Sequence, residues 1–386
     1  MSDFESLKRS IDNLAPIIRE HADASEAQRH QHAAIARALA RANLFRVAVP
    51  KSLGGLECHP EVQIKVIEEV SRLDGGAGWA LMIGIETMGI IGPYFDRATM
   101  LETFADPDFI TAGALNPLGH ATRVDGGYRI SGQWPFASGV HNATHFIGQS
   151  ILHVGDERAR DDQGVTLLET LIPAGEFEIL DTWHVSGLRG SGSHDVRVDD
   201  VFVPDVRVCQ MARQTLDETG TLFRIPPYSR LAYNKVGVAT GIARAAIDHF
   251  VDLAVVKTPR GSVNKLRERP DAHRAVAEAE LTLGSARSYA LEVVREIWDQ
   301  VEAGEVPDRK LRARLQLACS GACNASVQAV EKVYAAAGAS ANFVSNPLER
   351  CMRDVLVVRQ HIMVSPQWLD GAGRVLLGLE SGTFLF

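Results

Sequence analysis

A chain of 386 residues that is 46% hydrophobic can bury a large core, enough for two or three packed units. Its formal net charge is -8 and no basic run stands out, which argues against nucleic acid or an anionic membrane surface as the main partner. The opening MSDFESLKRSIDNLAPIIREHA is polar and periodic, and no run of eighteen uncharged apolar residues occurs. The expectation is a cytoplasmic protein without a signal peptide or a membrane span.

Residues 5 to about 105 carry helical periodicity. SEAQRHQHAAIARALARANLF and PEVQIKVIEEVSRLD repeat apolar residues every three or four positions, with the Pro/Gly-punctuated loop VPKSLGGLECHP between them. GGAGWALMIGIETMGIIGPYF is nearly all apolar and reads as a buried helix. Near residue 109 the texture changes to short alternating runs such as FITAGAL, ATHFIGQSILHV and HDVRVDDVFVP, cut by Gly, Asp and Pro. VDGGYRISG predicts a hairpin, with Gly126 and Gly127 supplying positive φ angles. From about 228 the chain turns helical again in long segments rich in Ala and Gly, as close helix packing in a four-helix bundle requires. TPRGSVNKLRERP, 258–270, reads as a polar, mobile connection. The predicted order is a helical domain over 1–108, a β domain over 109–212 and a four-helix bundle domain over 213–386.

Five cysteines (Cys58, Cys209, Cys319, Cys323, Cys351) are scattered, and only Cys319 and Cys323 sit at helical i,i+4 spacing. No His/Cys cluster completes a zinc set, so reduced thiols and no metal are expected. CMRDVLVVRQHIMVSP, 351–366, predicts a helix presenting Asp354 and His361 on one face two turns apart. On those residues alone, His361 is either a satisfied structural group or a working acid/base.

Four stretches carry a family likeness: VPKSLGGLEC, GGYRISGQWPFASGVHNATHF, WHVSGLRGSGSHDVRVDDVFVPD and ERCMRDVLVVRQH. Together with the order of helical, β and helical regions they resemble the acyl-CoA dehydrogenase superfamily over roughly residues 1 to 380. More narrowly they resemble its reduced-flavin-dependent (two-component, group D) monooxygenases, the oxygenase components of aromatic hydroxylases. The resemblance implies an α+β, acyl-CoA dehydrogenase-like fold with a middle β-barrel or sandwich domain. It also implies reduced FMN or FAD from a separate NAD(P)H:flavin reductase, O2 as co-substrate, and a homotetramer. Oxygen transfer would pass through a flavin C4a-hydroperoxide to a largely apolar, aromatic small molecule.

Carried over residue by residue, the likeness puts Phe136, Ala137 and Ser138 of GQWPFASG along the flavin ring, with Ser138 at its reactive edge. Small residues there let a flat ring lie against backbone; the plain alternative is the end of a strand. In WHVSGLRGSGSHDV, Trp183 would flank the ring, and Ser191 and Ser193 would lie toward the ribityl phosphate. A Gly/Ser run by itself is commonly only a turn, and no G-x-G-x-x-G supports a Rossmann site. Lys257 and Arg260 are candidates for the phosphate, against a reading as solvated loop charges. Gly338 and Ser340 occupy the loop that reaches a neighbouring subunit's flavin in that family. Arg350 and Arg353 are expected to pair with carboxylates, Asp354 included.

Acyl-CoA dehydrogenases carry a glutamate base after the Arg-Asp pair or early in the first bundle helix. VLVVRQHIMVSP and SRLAYNKVGVATG contain none, so α,β-dehydrogenation lacks its general base. The monooxygenases place a histidine seven residues after that pair, and His361 matches. Its implied roles are to accept a proton from a phenol or amine and to orient the oxygenating species. Several relatives carry a second histidine near position 85; here Glu86 and Thr87 stand there, as substrate contacts or packing groups. His120, His141 and His145 are further candidates near the flavin strand, read as structural or surface groups. Alternative readings are an acyl-CoA dehydrogenase or oxidase with a displaced base, an N- or S-oxidising member, and a flavin-binding scaffold without catalysis.

Overall fold

The computed structural model describes residues 2–218 and 220–383. Five helices come first: α1 (Ser2–Gln28), α2 (Ala33–Arg41), α3 (Pro60–Leu73), α4 (Gly75–Glu86) and α5 (Arg97–Phe104). Ten strands follow, β1 (Thr111–Val124), β2 (Gly127–Trp134), β3 (His145–Val154), β4 (Glu157–Arg158), β5 (Arg160–Asp161), β6 (Gly164–Val165), β7 (Leu167–Pro173), β8 (Glu178–Leu180), β9 (Asp195–Pro204) and β10 (Val208–Cys209). The chain ends in α6 (Thr221–Arg224), α7 (Pro227–Val256), α8 (Pro270–Glu302), α9 (Arg309–Ala337), α10 (Pro347–Arg359) and α11 (Gln367–Leu376).

The main sheet runs β10-β7-β3-β1-β2-β9-β8. It is antiparallel except where β1 lies parallel to β3. Trp134, Phe146, Ile130, Leu168 and Val196 fill its inner face as a core of its own. At the β1–β2 hairpin Gly126 alone has positive φ, +73°; Gly127 is extended and needed for space, because a Cβ there would stand 2.3 Å from the Val203 carbonyl oxygen. The long helices and the first helical region share one continuous core.

Gly75–Tyr94 is long and apolar enough to cross a membrane by length and composition, and 94% of its window is buried inside the fold. It is therefore the core element the composition predicts. The 258–270 connection is more ordered than its polarity suggests. Leu266 is buried, its N–H donates to the Lys257 carbonyl at 2.8 Å, and a short 3-10 turn spans Leu266–Glu268.

The helix of the 351–366 stretch stops at Arg359, so His361 does not share a helix face with Asp354. The last turn tightens, with Gln360 N–H bonding Val357 O and His361 N–H bonding Val358 O. The turn carbonyls then find side chains: Trp368 Nε1 donates to Ile362 O at 2.6 Å and Ser320 Oγ to Ser365 O at 3.2 Å. Those partners lie on α11 and α9, so the helix end is fixed by tertiary contacts that local periodicity does not encode.

Candidate active site

α4 is the axis of the site. Asp74 caps it, accepting from Ala77 N–H at 2.7 Å, and its first turn packs on the turn at Gly190 and Ser191. A Cβ on Gly76 would stand 2.9 Å from the Gly190 carbonyl carbon, so glycine is required by that approach. One turn on, Trp79 Nε1 donates to Ser138 Oγ at 3.0 Å. Ser138 Oγ lies 2.7 Å from Ser193 Oγ, which lies 2.8 Å from Ser191 Oγ. All four side chains are buried. The predicted residues Ser138, Ser191 and Ser193 are thus one chain of hydroxyls ending on an indole.

Backbone bonds stitch the two loops: Ala137 N–H to His194 O at 3.0 Å and Gly139 N–H to Ser191 O at 2.8 Å. Asp354 fastens them to α10, its Oδ1 accepting the Leu188 N–H at 2.6 Å while Leu188 holds φ +50°. Burial pushes the Asp354 carboxyl up to about 7, with Asp74 and Glu26 adding to the effect and the Leu188 bond opposing it. Arg353 bonds Glu349, Glu26 and the Ser186 carbonyl, and Arg350 pairs with Asp23 and Asp74. The expected pairing with Asp354 is replaced by its backbone role.

His361 lies in the turn after α10, half-buried, with its ring 5.5 Å from Trp79 in an edge-on arrangement. Its Nδ1 accepts the Met363 N–H at 3.2 Å, which places the neutral ring's proton on Nε2. Desolvation first, then the charge of Lys235, drives its pKa well below the usual histidine range. His361 is neutral at pH 7 and offers an N–H there. With Nδ1 occupied by Met363, the Nε2–H is the polar edge left for other partners.

Seven residues past Trp79 on the same face of α4 stands Glu86, and the chain then opens into a π turn over Thr87–Ile91. Glu86 pairs with Lys235 of α7, and both are buried. Desolvation pushes Glu86 up to about 7 against the pull of Lys235, and desolvation lowers Lys235. The carboxylate that looked odd in an apolar helix is therefore half of an ion pair. Thr87 Oγ1 lies 2.6 Å from Thr111 Oγ1 and 3.0 Å from Ile83 O, so it ties the π turn to β1.

The acyl-CoA dehydrogenase N-terminal domain matches residues 9–99, and the acyl-CoA dehydrogenase C-terminal domain matches residues 234–366. An indole-3-acetate monooxygenase of Pseudomonas putida is 31% identical over 371 residues, covering 94% of this chain and 92% of that protein. The chain belongs to the flavin-dependent monooxygenases of the acyl-CoA dehydrogenase fold. The oxygenase component of an FADH(2)-dependent resorcinol hydroxylase from a Rhizobium species is 30% identical over 393 residues, covering 96% and 93%. The crystal structure of a 3-HSA hydroxylase from Rhodococcus sp. RHA1 superposes with a TM-score of 0.89 at 25% identity, covering 99% of each chain. This monooxygenase is an oxygenase component working on reduced flavin.

Phe136 and Trp183, both expected along the flavin ring, lie against each other. Phe136 takes φ +65°, is 62% exposed, and lies edge-on 6.2 Å from the buried Trp183, whose Nε1 donates to Leu188 O at 3.1 Å. The outward ring of Phe136, beside the buried Ala137 and Ser138, would offer an aromatic contact to a flat ring bound there. When bound there, reduced flavin supplies the electrons that activate O2 for transfer of one oxygen atom.

Lys257, Gly338 and Ser340 meet one another: Lys257 Nζ bonds the Ala337 carbonyl and Ser340 Oγ (2.7 Å), and Gly338 lies beside it. Arg260 is exposed on the following turn. α7 passes α4 at Ile242, which touches Gly75, and Lys257 lies fifteen residues further, about 22 Å of helix rise. Within one chain this group does not join the serine cluster. His120 stacks on His153 at 3.8 Å, His141 on His30 at 4.0 Å, and His145 faces Phe109 at 5.4 Å. Desolvation first drives His141 and His145 down to about 4.

Two residues were missed by sequence reasoning, Trp79 and Lys235. A tryptophan amid GGAGWALMIG signals itself, since a buried indole N–H needs an acceptor. Lys235 in the apolar run AYNKVGVATG is the same kind of signal. The surface depressions of about 470 and 350 Å³ are lined by other residues, among them Glu292 and Asp299 in one and Asp205 and Arg213 in the other.

Proposed function

We propose that this oxygenase component hydroxylates a largely apolar aromatic small molecule held between α4, α7 and the turn at His361. Ser138 and His361 flank Trp79, one hydrogen-bonded to its N–H and the other against its ring edge. That convergence carries the reading. Ser138 is the hydroxyl at the flavin edge, held by Trp79 and Ser193, and His361 donates its Nε2–H to the oxygen being transferred or to a substrate heteroatom. The named activities of the relatives, on indole-3-acetate and resorcinol, support an aromatic substrate.

The cofactor is reduced FMN or FAD, with O2 as co-substrate and an NAD(P)H:flavin reductase as the source of electrons. A cytoplasmic homotetramer is the assembly proposed. Lys257, Arg260, Gly338 and Ser340 stand too far along the bundle to serve the flavin of their own chain, and a second copy would bring them to it. Asp354 and Glu86 are both engaged, which disfavours either as the base of an acyl-CoA dehydrogenase.

The test is His361→Ala, assayed with reduced flavin, O2 and aromatic substrates. Product should fall by about 100-fold or more, with the reducing equivalents recovered as H2O2 and reduced-flavin binding retained. Unchanged coupling of flavin oxidation to product would remove His361 from the role. Bleaching of bound oxidised flavin by an acyl-CoA would favour the dehydrogenase reading instead.

A further inference from the structure

Arg230, in the first turn of α7, is 1% exposed, yet Nε, Nη1 and Nη2 all lack a hydrogen-bond partner among the described residues. The ring of Phe223 lies 5.2 Å from its guanidinium carbon, a cation–π contact that covers a face and leaves the donor edges free. The phenols of Tyr94 and Tyr233 are near enough to bias its charge, and burial lowers its pKa. Glu169, which also acts on Tyr94, commits its carboxylate to Gln149 Nε2 and the Met211 N–H, each at 2.8 Å. A buried, unpaired guanidinium costs several kcal/mol, and guanidinium groups in such settings are normally matched to carboxylate or phosphate.

Its position relative to the chemistry follows from the helix directions. Gly75 meets Ile242 and Glu86 meets Lys235, so α4 and α7 run antiparallel. Going along α4 away from the serine cluster, one passes Trp79, then Glu86, then Tyr94; along α7 the matching order is Ile242, Lys235, Arg230. Arg230 therefore stands at the far end from Ser191 and Ser193, about 7 Å of helix rise beyond Lys235, whose charge reaches His361. In the same stretch the Asn234 side chain hydrogen-bonds the Glu86 carboxylate. The stretch of α4 and α7 between His361 and Arg230 is buried and largely apolar, with the Glu86–Lys235 pair within it.

We propose that Arg230 anchors a carboxylate on the substrate, so that the preferred substrates are aromatic acids whose ring lies toward His361 and whose acid group lies on the free edge of Arg230. This rests on the oxygenase reading of the site and narrows its substrate class. A phosphate on the flavin is the other anion of the right chemistry, and its expected place is the opposite, serine-cluster end.

The experiment compares phenylacetate, 1-naphthylacetate and indole-3-acetate with their neutral amides, in the wild-type holoenzyme supplied with reduced flavin, and then in Arg230→Gln and Arg230→Lys. Wild-type KM should favour the acids over the amides by on the order of 30-fold or more. Arg230→Gln should erase that preference by raising KM for the acids alone, and Arg230→Lys should restore part of it. Reduced-FMN affinity should stay unchanged in both variants. Equal use of acids and amides by the wild-type enzyme would overturn the proposal without needing a mutant. Weakened reduced-FMN binding in Arg230→Gln would assign the guanidinium to the flavin phosphate instead, and altered assembly with unchanged acid preference would assign it to a subunit contact. Failure of the oxygenase reading looks different: no acid, amide or hydrocarbon ring would be oxygenated at all.

Discussion

The two ends of α4 differ in how completely their polar groups are satisfied. At the serine-cluster end, Trp79, Ser138, Ser193 and Ser191 form a closed run of hydrogen bonds, and Asp354 takes up the Leu188 N–H. At the other end, the three guanidinium nitrogens of Arg230 have no hydrogen-bond partner among the described residues, while Glu86 is engaged by Lys235 and Asn234. The first end is finished in the absence of ligand and can hold a rigid ring in register. The second leaves the Arg230 guanidinium edge open, the place where the proposed substrate carboxylate would bind. Preorganisation and selectivity are thus divided between opposite ends of one helix.

Three substitutions probe that division. The largest effect is expected at the open end from Glu86→Ala, which strands the Lys235 ammonium in the interior. A loss of about 3–5 kcal/mol is expected in reversible denaturation, and a change under 1 kcal/mol would mean that water already reaches the pair. At the closed end, Asp354→Asn removes a titration. Because the folded carboxyl is raised to about 7, its contribution to stability is full below the unfolded value near 4 and is lost as pH rises through 7. Asparagine cannot titrate, so the pH 4–8 stability profile should flatten by on the order of 2 kcal/mol. A profile as steep as wild type's would assign the dependence to another group. The smallest effect is Ser138→Ala, which leaves the Trp79 N–H without its acceptor. It should cost about 1–2 kcal/mol of stability and shift flavin oxidation toward H2O2. If stability falls and coupling holds, the hydroxyl is a packing partner of Trp79 alone.

Much of the fold was legible because its signals are local. Apolar spacing marks α3, α7, α8 and α9, alternation marks β3 and β9, and Gly126 marks the hairpin. The serine cluster was legible only through its sequence neighbourhood, since Ser138 and Ser193 are fifty-five residues apart. What stayed hidden depends on partners distant in sequence. The end of α10 before His361 is set by Trp368 and Ser320, and the meaning of Glu86 by Lys235, 149 residues away. The hydrogen-bond setting of His361 was hidden for the same reason: an Nδ1 bond to Met363 exists only because the helix has already stopped.

The π turn at Thr87–Ile91 acts as a phase shifter. A wide turn carries one residue more than an α-helical turn, and each α-helical residue advances the chain by about 100°. Removing one residue there would let α4 continue straight and swing everything after it by that angle, carrying Tyr94 away from Arg230 while leaving Trp79 and the serine cluster untouched. A one-residue length change in this segment is thus a route by which relatives of the same fold can rewrite which molecule they accept while keeping the oxygen chemistry fixed.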